Sequence, residues 1–272
     1  MSILEGKKAA NEHLIEIAKM AAMAALKAPQ VANTEIRTLI LTGEDVKPLA
    51  EILKVLGEAS AFIYGDALCG LKSFEAETPI VELLIGADLT KSDLNWNCGA
   101  CGFDTCAEFN RYSKENFSLG NFYAGPSCNW KVLDFGTAQS WAAASVWQYN
   151  VDNRTQASYG AAGLLAGHLE GCSACTGISI GPCRDTVWYS RPDLAHSFDM
   201  QEHEKFVLNT LPQLFVGFCG AGCPEVKESP NWLEDPKFFT MQKDEELMKK
   251  KADIMDRVLK LVAKEKERLG KA

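Results

Sequence analysis

A run of cysteines, Cys98-Gly-Ala-Cys101-Gly-Phe-Asp-Thr-Cys106 followed by Cys128, constrains this chain more than any other feature. Three thiolates separated by two and then four residues can curl around one compact site, and a fourth from farther along closes it. Four thiolates suit an iron–sulfur cluster or zinc and few other things. Gly99 and Gly102 follow two of the cysteines. Without a Cβ they let the backbone bend tightly and aim amides at the sulfurs.

The redox compartment decides how the remaining thiols are read. Ten cysteines in 272 residues could form a disulfide framework in a secreted protein. No signal peptide is read at the start, however. Glu5 and Glu12 interrupt it, and the apolar run from Met20 to Leu26 is too short. Reduced, metal-bound thiols in a cytoplasm are the expectation. No apolar stretch approaches the roughly 18 residues that cross a bilayer, so no membrane partner is expected. A formal charge of −8 speaks against a nucleic-acid partner. The one basic run, Lys249 to Lys251, sits among Asp244, Glu245 and Glu246 and reads as a solvated helix face.

The rest of the chain reads as an α/β fold, a small buried sheet flanked by helices with the cysteine loop inserted. Leu14, Ile17, Ala18, Ala21 and Ala25 form one stripe, which predicts a helix over 12–27 ended by Ala28-Pro29. Ile36–Leu41, Ala61–Tyr64 and Ile80–Ile85 are short apolar runs of strand length, and a second helix runs to about Leu56. The order of strands and helices points to a sheet layer with buried strands. An Ala/Gly-rich stretch from Asp134 to Ala166 predicts two closely packed helices, separated near Tyr149 to Arg154. A final amphipathic helix over about 244–269 places Leu247, Ile254, Val258, Leu261 and Val262 on one side. It would pack on the body or on a second copy, as in a homodimer. Four portions follow: 1–93, the cluster loop 94–130, the helical portion 131–192, and a C-terminal extension 193–272.

A second group of cysteines lies downstream: Cys172 and Cys175, then Cys183, Cys219 and Cys223-Pro224. A proline after the last cysteine recurs in bacterial ferredoxins. Cys172, Cys175, Cys183 and Cys223 are the expected ligands of a second centre, with Cys219 as a substitute for Cys223. Cys69 reads as a buried apolar residue. His168, four residues before Cys172, could join a mixed site but reads better as a satisfied histidine. Trp96 and Trp130 bracket the first loop, with Phe103, Phe109, Phe117 and Phe122 inside it. These aromatics fill a core, exclude water from a cluster, or do both.

The stretch Asn97 to Cys106 resembles the cluster-binding motif of four-iron ferredoxin-type domains, including that of corrinoid iron–sulfur proteins. More of the chain, roughly 12–192, is similar to an uncharacterised family of ferredoxin-domain proteins. The likeness runs through Asp134-Phe135-Gly136-Thr137-Ala138, Val151-Asp152-Asn153-Arg154, Gly177-Ile178-Ser179-Ile180 and Tyr189-Ser190-Arg191. That resemblance implies a [4Fe-4S] cluster on Cys98, Cys101, Cys106 and Cys128 and names no reaction. A fainter likeness to flavin-dependent nitroreductases, at the level of fold, keeps FMN as a second cofactor.

Three functions compete on this reading. The leading one is an iron–sulfur redox protein passing single electrons to a partner protein or bound substrate. The second is a structural zinc protein in which four cysteines hold the metal. The third is an iron–sulfur/FMN oxidoreductase, or a carrier or sensor of clusters. No residue stands out as catalytic.

Overall fold

A computed structural model describes residue 3 and residues 5–59, 61–75, 80–119, 124–181 and 245–271. At its centre lies a four-stranded sheet in the order β1-β2-β6-β5. The strands are β1 (Arg37–Thr42), β2 (Val81–Ala87), β5 (Asn153–Gln156) and β6 (Ala174–Ile180). Every neighbouring pair is antiparallel. Thus strands from the start of the chain and strands from beyond the cysteine loop share one sheet. A two-stranded ribbon, β3 (Ser118–Leu119) with β4 (Ala124–Gly125), forms a second small sheet, and Ala124 N–H donates to the Ser173 carbonyl just before β6 at 2.7 Å.

All seven residues of β2 and all seven of β6 are buried, as central strands covered on both faces should be. Alternation divides their side chains between two cores. Val81, Leu83 and Ile85 of β2 join Ala174, Ile178 and Ile180 of β6 on one face. Two helices cover that face, α2 (Leu14–Lys27) and α6 (Asn129–Trp147). Their contact is made of small residues, with Ala18, Ala21 and Ala25 of α2 and Ala138 and Ala142 of α6 all fully buried. A short helix, α1 (Gly6–Glu12), precedes them.

The opposite face carries α3 (Lys47–Leu56), α4 (Ala61–Glu75) and α7 (Ala157–Leu165). The last helix, α8 (Glu245–Arg268), packs outside α3 through Ile254, Val258 and Val262. Arg268 ties it to Asp45 at 2.8 Å, and Arg257 reaches Glu58 at 2.6 Å. Its apolar stripe is therefore spent on the body of the chain.

The layered fold agrees with the sequence reading, with one element corrected and two strands, β5 and β6, added to those it names. Ala61–Tyr64 begins α4 rather than forming a strand. A four-residue apolar run fits either element, and here the apolar pattern continues to Phe74 along a helix. The two helices expected between Asp134 and Ala166 are α6 and α7, with β5 between them.

One buried carboxylate fixes how α6 meets the sheet. Asp134 accepts the backbone N–H groups of Val31, Ala32 and Thr34 at 2.7, 2.9 and 3.2 Å, and the Thr34 hydroxyl at 2.9 Å. These bonds hold the turn between α2 and β1, where Asn33 has a φ of 47°. A buried charge satisfied four times over is a strong local constraint.

Candidate metal centre

The cysteine loop hangs from one end of the sheet. As the chain leaves β2, Leu89 N–H donates to Ser173 Oγ at 2.8 Å, and Ser173 N–H donates to the Ala87 carbonyl at 3.0 Å. Cys128 N–H donates to the Leu89 carbonyl at 2.8 Å. Lys131 reaches across to Asp93 at 3.0 Å and holds that carboxyl below its ordinary pKa, chiefly by the hydrogen bond between them. Both ends of the loop are thus moored to the same part of the scaffold.

Within the loop, Gly99 and Gly102 have φ values of 72° and 85°, a region that only glycine enters freely. Gly102 N–H donates to the Gly99 carbonyl at 2.9 Å. This tight turn brings Cys98 and Cys101 to the same side. Helix α5 (Cys106–Glu115) then begins with a reciprocal cap. Glu108 N–H donates to Thr105 Oγ1 at 3.1 Å, and Thr105 N–H donates to Glu108 Oε2 at 3.3 Å. Cys106 is the first residue of α5, and Cys128 is the cap residue of α6. Two of the four thiols therefore stand at the positive ends of helices, which favour a thiolate.

All four cysteines line one narrow cavity of about 10 Å3. Cys98 is exposed, Cys101 and Cys106 are partly covered, and Cys128 is buried. Two side chains donate to their sulfurs. Trp130 Nε1–H points at Cys98 Sγ from 3.2 Å, and Ser92 Oγ at Cys106 Sγ from 3.5 Å. The Ser92 hydroxyl, followed by the backbone around Asn97, pulls the Cys106 thiol below its ordinary pKa. Asn97 Oδ1 also accepts the Cys106 N–H at 2.9 Å, and Asn129 Nδ2 donates to the Ala100 carbonyl.

This donor set fits a thiolate-bound metal group. Soft ligands converge on a common space, with hydrogen-bond donors and helix N-termini placed to offset negative charge there. Among the described residues, no three His, Cys, Asp or Glu side chains are grouped closely enough to hold a single metal ion.

The aromatics divide. Phe109 is fully buried and meets Phe103 edge-on at 5.9 Å. Trp130 meets Trp96 edge-to-face at 6.0 Å, and Trp96 is 49% exposed. Phe117 is exposed, and Phe122 lies outside the described residues. Core filling and shielding are thus shared between different rings.

The second cysteine group has a different setting. Cys172 precedes β6, and Cys175 lies within it, opposite Gly86 of β2. Burial drives both thiols above their ordinary pKa, although Arg37 opposes this at Cys172. Cys183, Cys219 and Cys223 lie outside the described residues. Cys69 is on α4. His168 is buried, with Nε2 3.8 Å from Glu265 of α8, and burial lowers its pKa against the pull of that carboxylate. It serves the attachment of α8 rather than the cysteine cavity. A wider hollow of about 370 Å3 between α3 and α8 is lined by charges of both signs and contains no cysteine.

Sequence reasoning missed Ser92 and Asn110, and it named Asn97 only as the first residue of the motif. Asn110 follows Cys106 by four residues on α5 and holds Ser92 from both sides. Its position one helical turn from a cysteine is the signal that could have found it.

No helix among the described residues is long and apolar enough to cross a membrane. Comparison with protein families matches residues 124–191 to the family described as an uncharacterized protein containing a ferredoxin domain. That stretch includes Cys128, Cys172, Cys175 and Cys183. A protein of Archaeoglobus fulgidus, named only as an uncharacterized protein, is 26% identical over 190 residues, covering 70% of this chain and 97% of that one. No solved structure matches. The resemblance read in the sequence is borne out as a likeness: residues 124–191 are similar to the uncharacterised ferredoxin-domain family, and Cys98, Cys101 and Cys106 lie before the matched stretch.

Proposed function

We propose that Cys98, Cys101, Cys106 and Cys128 hold one [4Fe-4S] cluster and that the protein exchanges single electrons with a redox partner protein. The observation that carries this reading is the convergence of the four cysteines on one cavity. When bound, such a cluster supplies reversible one-electron chemistry, at a potential set by its surroundings.

The chain's own residues prepare that role. The N-termini of α5 and α6 offset the charge of four thiolates. Trp130 and Ser92 donate to two of the sulfurs. The exposure of Cys98 brings the site within reach of a docked partner. Zinc fits less well. Bonds of about 2.3 Å in a tetrahedron draw four sulfurs to about 3.8 Å of one another. Among the described residues no three His, Cys, Asp or Glu side chains are grouped to hold a single ion. A [4Fe-4S] core, with one thiolate on each iron, takes its four sulfurs farther apart, at the corners of a larger tetrahedron.

Iron, sulfide and zinc analysis of anaerobically prepared protein tests the reading, with EPR after reduction. About four irons per chain and a reducible paramagnetic centre are expected. Colourless protein with one zinc would overturn it. About eight irons would bring Cys172, Cys175, Cys183 and Cys223 into play as a second centre. The burial of Cys175 within β6 favours the smaller number.

A further inference from the structure

We infer that Trp130 and Ser92 set the reduction potential of this centre, acting through the sulfurs of Cys98 and Cys106. The inference rests on the reading that these thiols hold a cluster.

A donor aimed at a ligand sulfur responds to charge. Adding one electron makes the sulfurs more negative, and hydrogen bonds to charged acceptors are roughly twice as strong as neutral ones. The donor thus stabilises the reduced form more than the oxidised form and raises the potential. Trp130 Nε1–H, 3.2 Å from Cys98 Sγ, and Ser92 Oγ, 3.5 Å from Cys106 Sγ, are placed to act in this way.

Both donors are held in position. Asn110 Oδ1 accepts the Ser92 N–H, and Asn110 Nδ2 donates to the Ser92 carbonyl, each at 2.7 Å. Because Asn110 sits on the helix that Cys106 begins, one rigid element carries both the ligand and the clamp for its donor. Trp130 lies in the first turn of α6, two residues after Cys128, with its ring braced against Trp96. Donors fixed before an electron arrives need no rearrangement when it does. Trp130 and Ser92 are positioning residues, each working through a cysteine.

The test compares anaerobically reconstituted wild type, Trp130→Phe, Ser92→Ala and the double variant. Iron content is measured first, then the midpoint potential by EPR-monitored redox titration. Ser140→Ala, whose hydroxyl bonds its own helix at the Gly136 carbonyl, is the control. Expected are wild-type iron content and a lower potential in each variant. The shift per donor is up to about tenfold in the oxidised-to-reduced ratio at fixed ambient potential, or about 59 mV for one electron. The double variant shifts further, and the control does not move. Full iron content with unchanged potentials would overturn the inference while leaving the cluster reading intact. Wild type without iron would sink that reading, and metal analysis shows this before any titration. If Trp130→Phe fails to take up iron, Ser92→Ala decides. Loss of iron in both variants would overturn the inference by assigning the two residues a purely structural role.

Discussion

Two Cys-x-x-Cys pairs in one chain, Cys98/Cys101 and Cys172/Cys175, have opposite fates. The first lies on a glycine turn that faces a cavity, with helix N-termini and side-chain donors around it. The second straddles the entry to a central strand, where Cys175 is fully buried in the core beside Leu84 and Tyr159. At Cys106, of the first group, local donors lower the thiol's pKa. At Cys175 burial raises it. Spacing alone does not make a thiolate; the backbone around it decides whether the sulfur meets donors or hydrocarbon.

The largest expected effect separates the groups outright. Cys101→Ser and Cys106→Ser should each lose the visible absorption and most of the iron of anaerobic protein. Cys175→Ala should retain both, at a stability cost of about 1 kcal/mol. Iron content and absorption spectra check this, and bleaching by Cys175→Ala would place the second group in the metal site after all. A next contrast uses iron-free protein and a thiol-alkylating reagent. Cys98 should be modified within seconds to minutes. Cys175, with no exposed surface, should react only as fast as the fold opens. Peptide mapping after timed quenching distinguishes them, and equal rates would show that β6 is not the closed strand described.

The same contrast explains what could be read in advance. The cysteine loop was legible because its residue types and spacing carry chemistry directly. The long helices were legible because Ala18, Ala21 and Ala25, or Ile254, Val258 and Val262, repeat at helical spacing. Strand β6 was not. Ala174-Cys175-Thr176-Gly177 offers little β-branched pattern, and its cysteine reads as part of a motif. Nor does a short run such as Ala61–Tyr64 reveal that it opens a helix. The antiparallel order of the sheet depends on pairing between strands far apart in the chain, as when Val81–Ala87 lies between Arg37–Thr42 and Ala174–Ile180, which local pattern does not encode. Asp134, Ser92 and Asn110 act on segments remote in sequence, so their partners are invisible until the chain is folded.

The buried side of the comparison has a polar exception that can be tested by pH. On β2, Glu82 is fully buried opposite Ser179 of β6. Ser179 Oγ lies 2.6 Å from Glu82 Oε2 and 2.5 Å from Gln156 Oε1. One hydroxyl proton cannot serve two acceptors. A protonated Glu82 resolves this by donating to Ser179, which donates on to Gln156. Burial, opposed by the bond that Ser179 can donate to the ionised carboxylate and aided by nearby Asp66, pushes the Glu82 pKa from about 4.5 to about 8. Between those values the folded state holds a proton that the unfolded chain has released. The contribution is therefore complete below about pH 4.5 and is lost as pH rises toward 8. Glu82→Gln should flatten this fall and raise stability at about pH 8 by an amount on the order of a few kcal/mol. Urea unfolding of iron-free protein at several pH values measures it, and parallel wild-type and variant curves would refute the assignment.

The smallest expected effect probes why Cys175 is so well enclosed. Helix α7 approaches β6 at Gly160, where a Cβ would lie 2.1 Å from the Cys175 carbonyl oxygen and 2.6 Å from Thr176 Cα. Both neighbours are backbone of a central strand and cannot rotate away, so relief requires the helix to lift. Gly160→Ala should destabilise the fold by about 2 kcal/mol, net of the helix propensity gained. The opening that follows should speed alkylation of Cys175 while leaving that of Cys98 unchanged. If α7 instead shifts without loss of stability, the seal over Cys175 comes from elsewhere on that face. Leu84, against which the next glycine of α7, Gly163, is pressed at 2.7 Å from its would-be Cβ, is then the position to truncate.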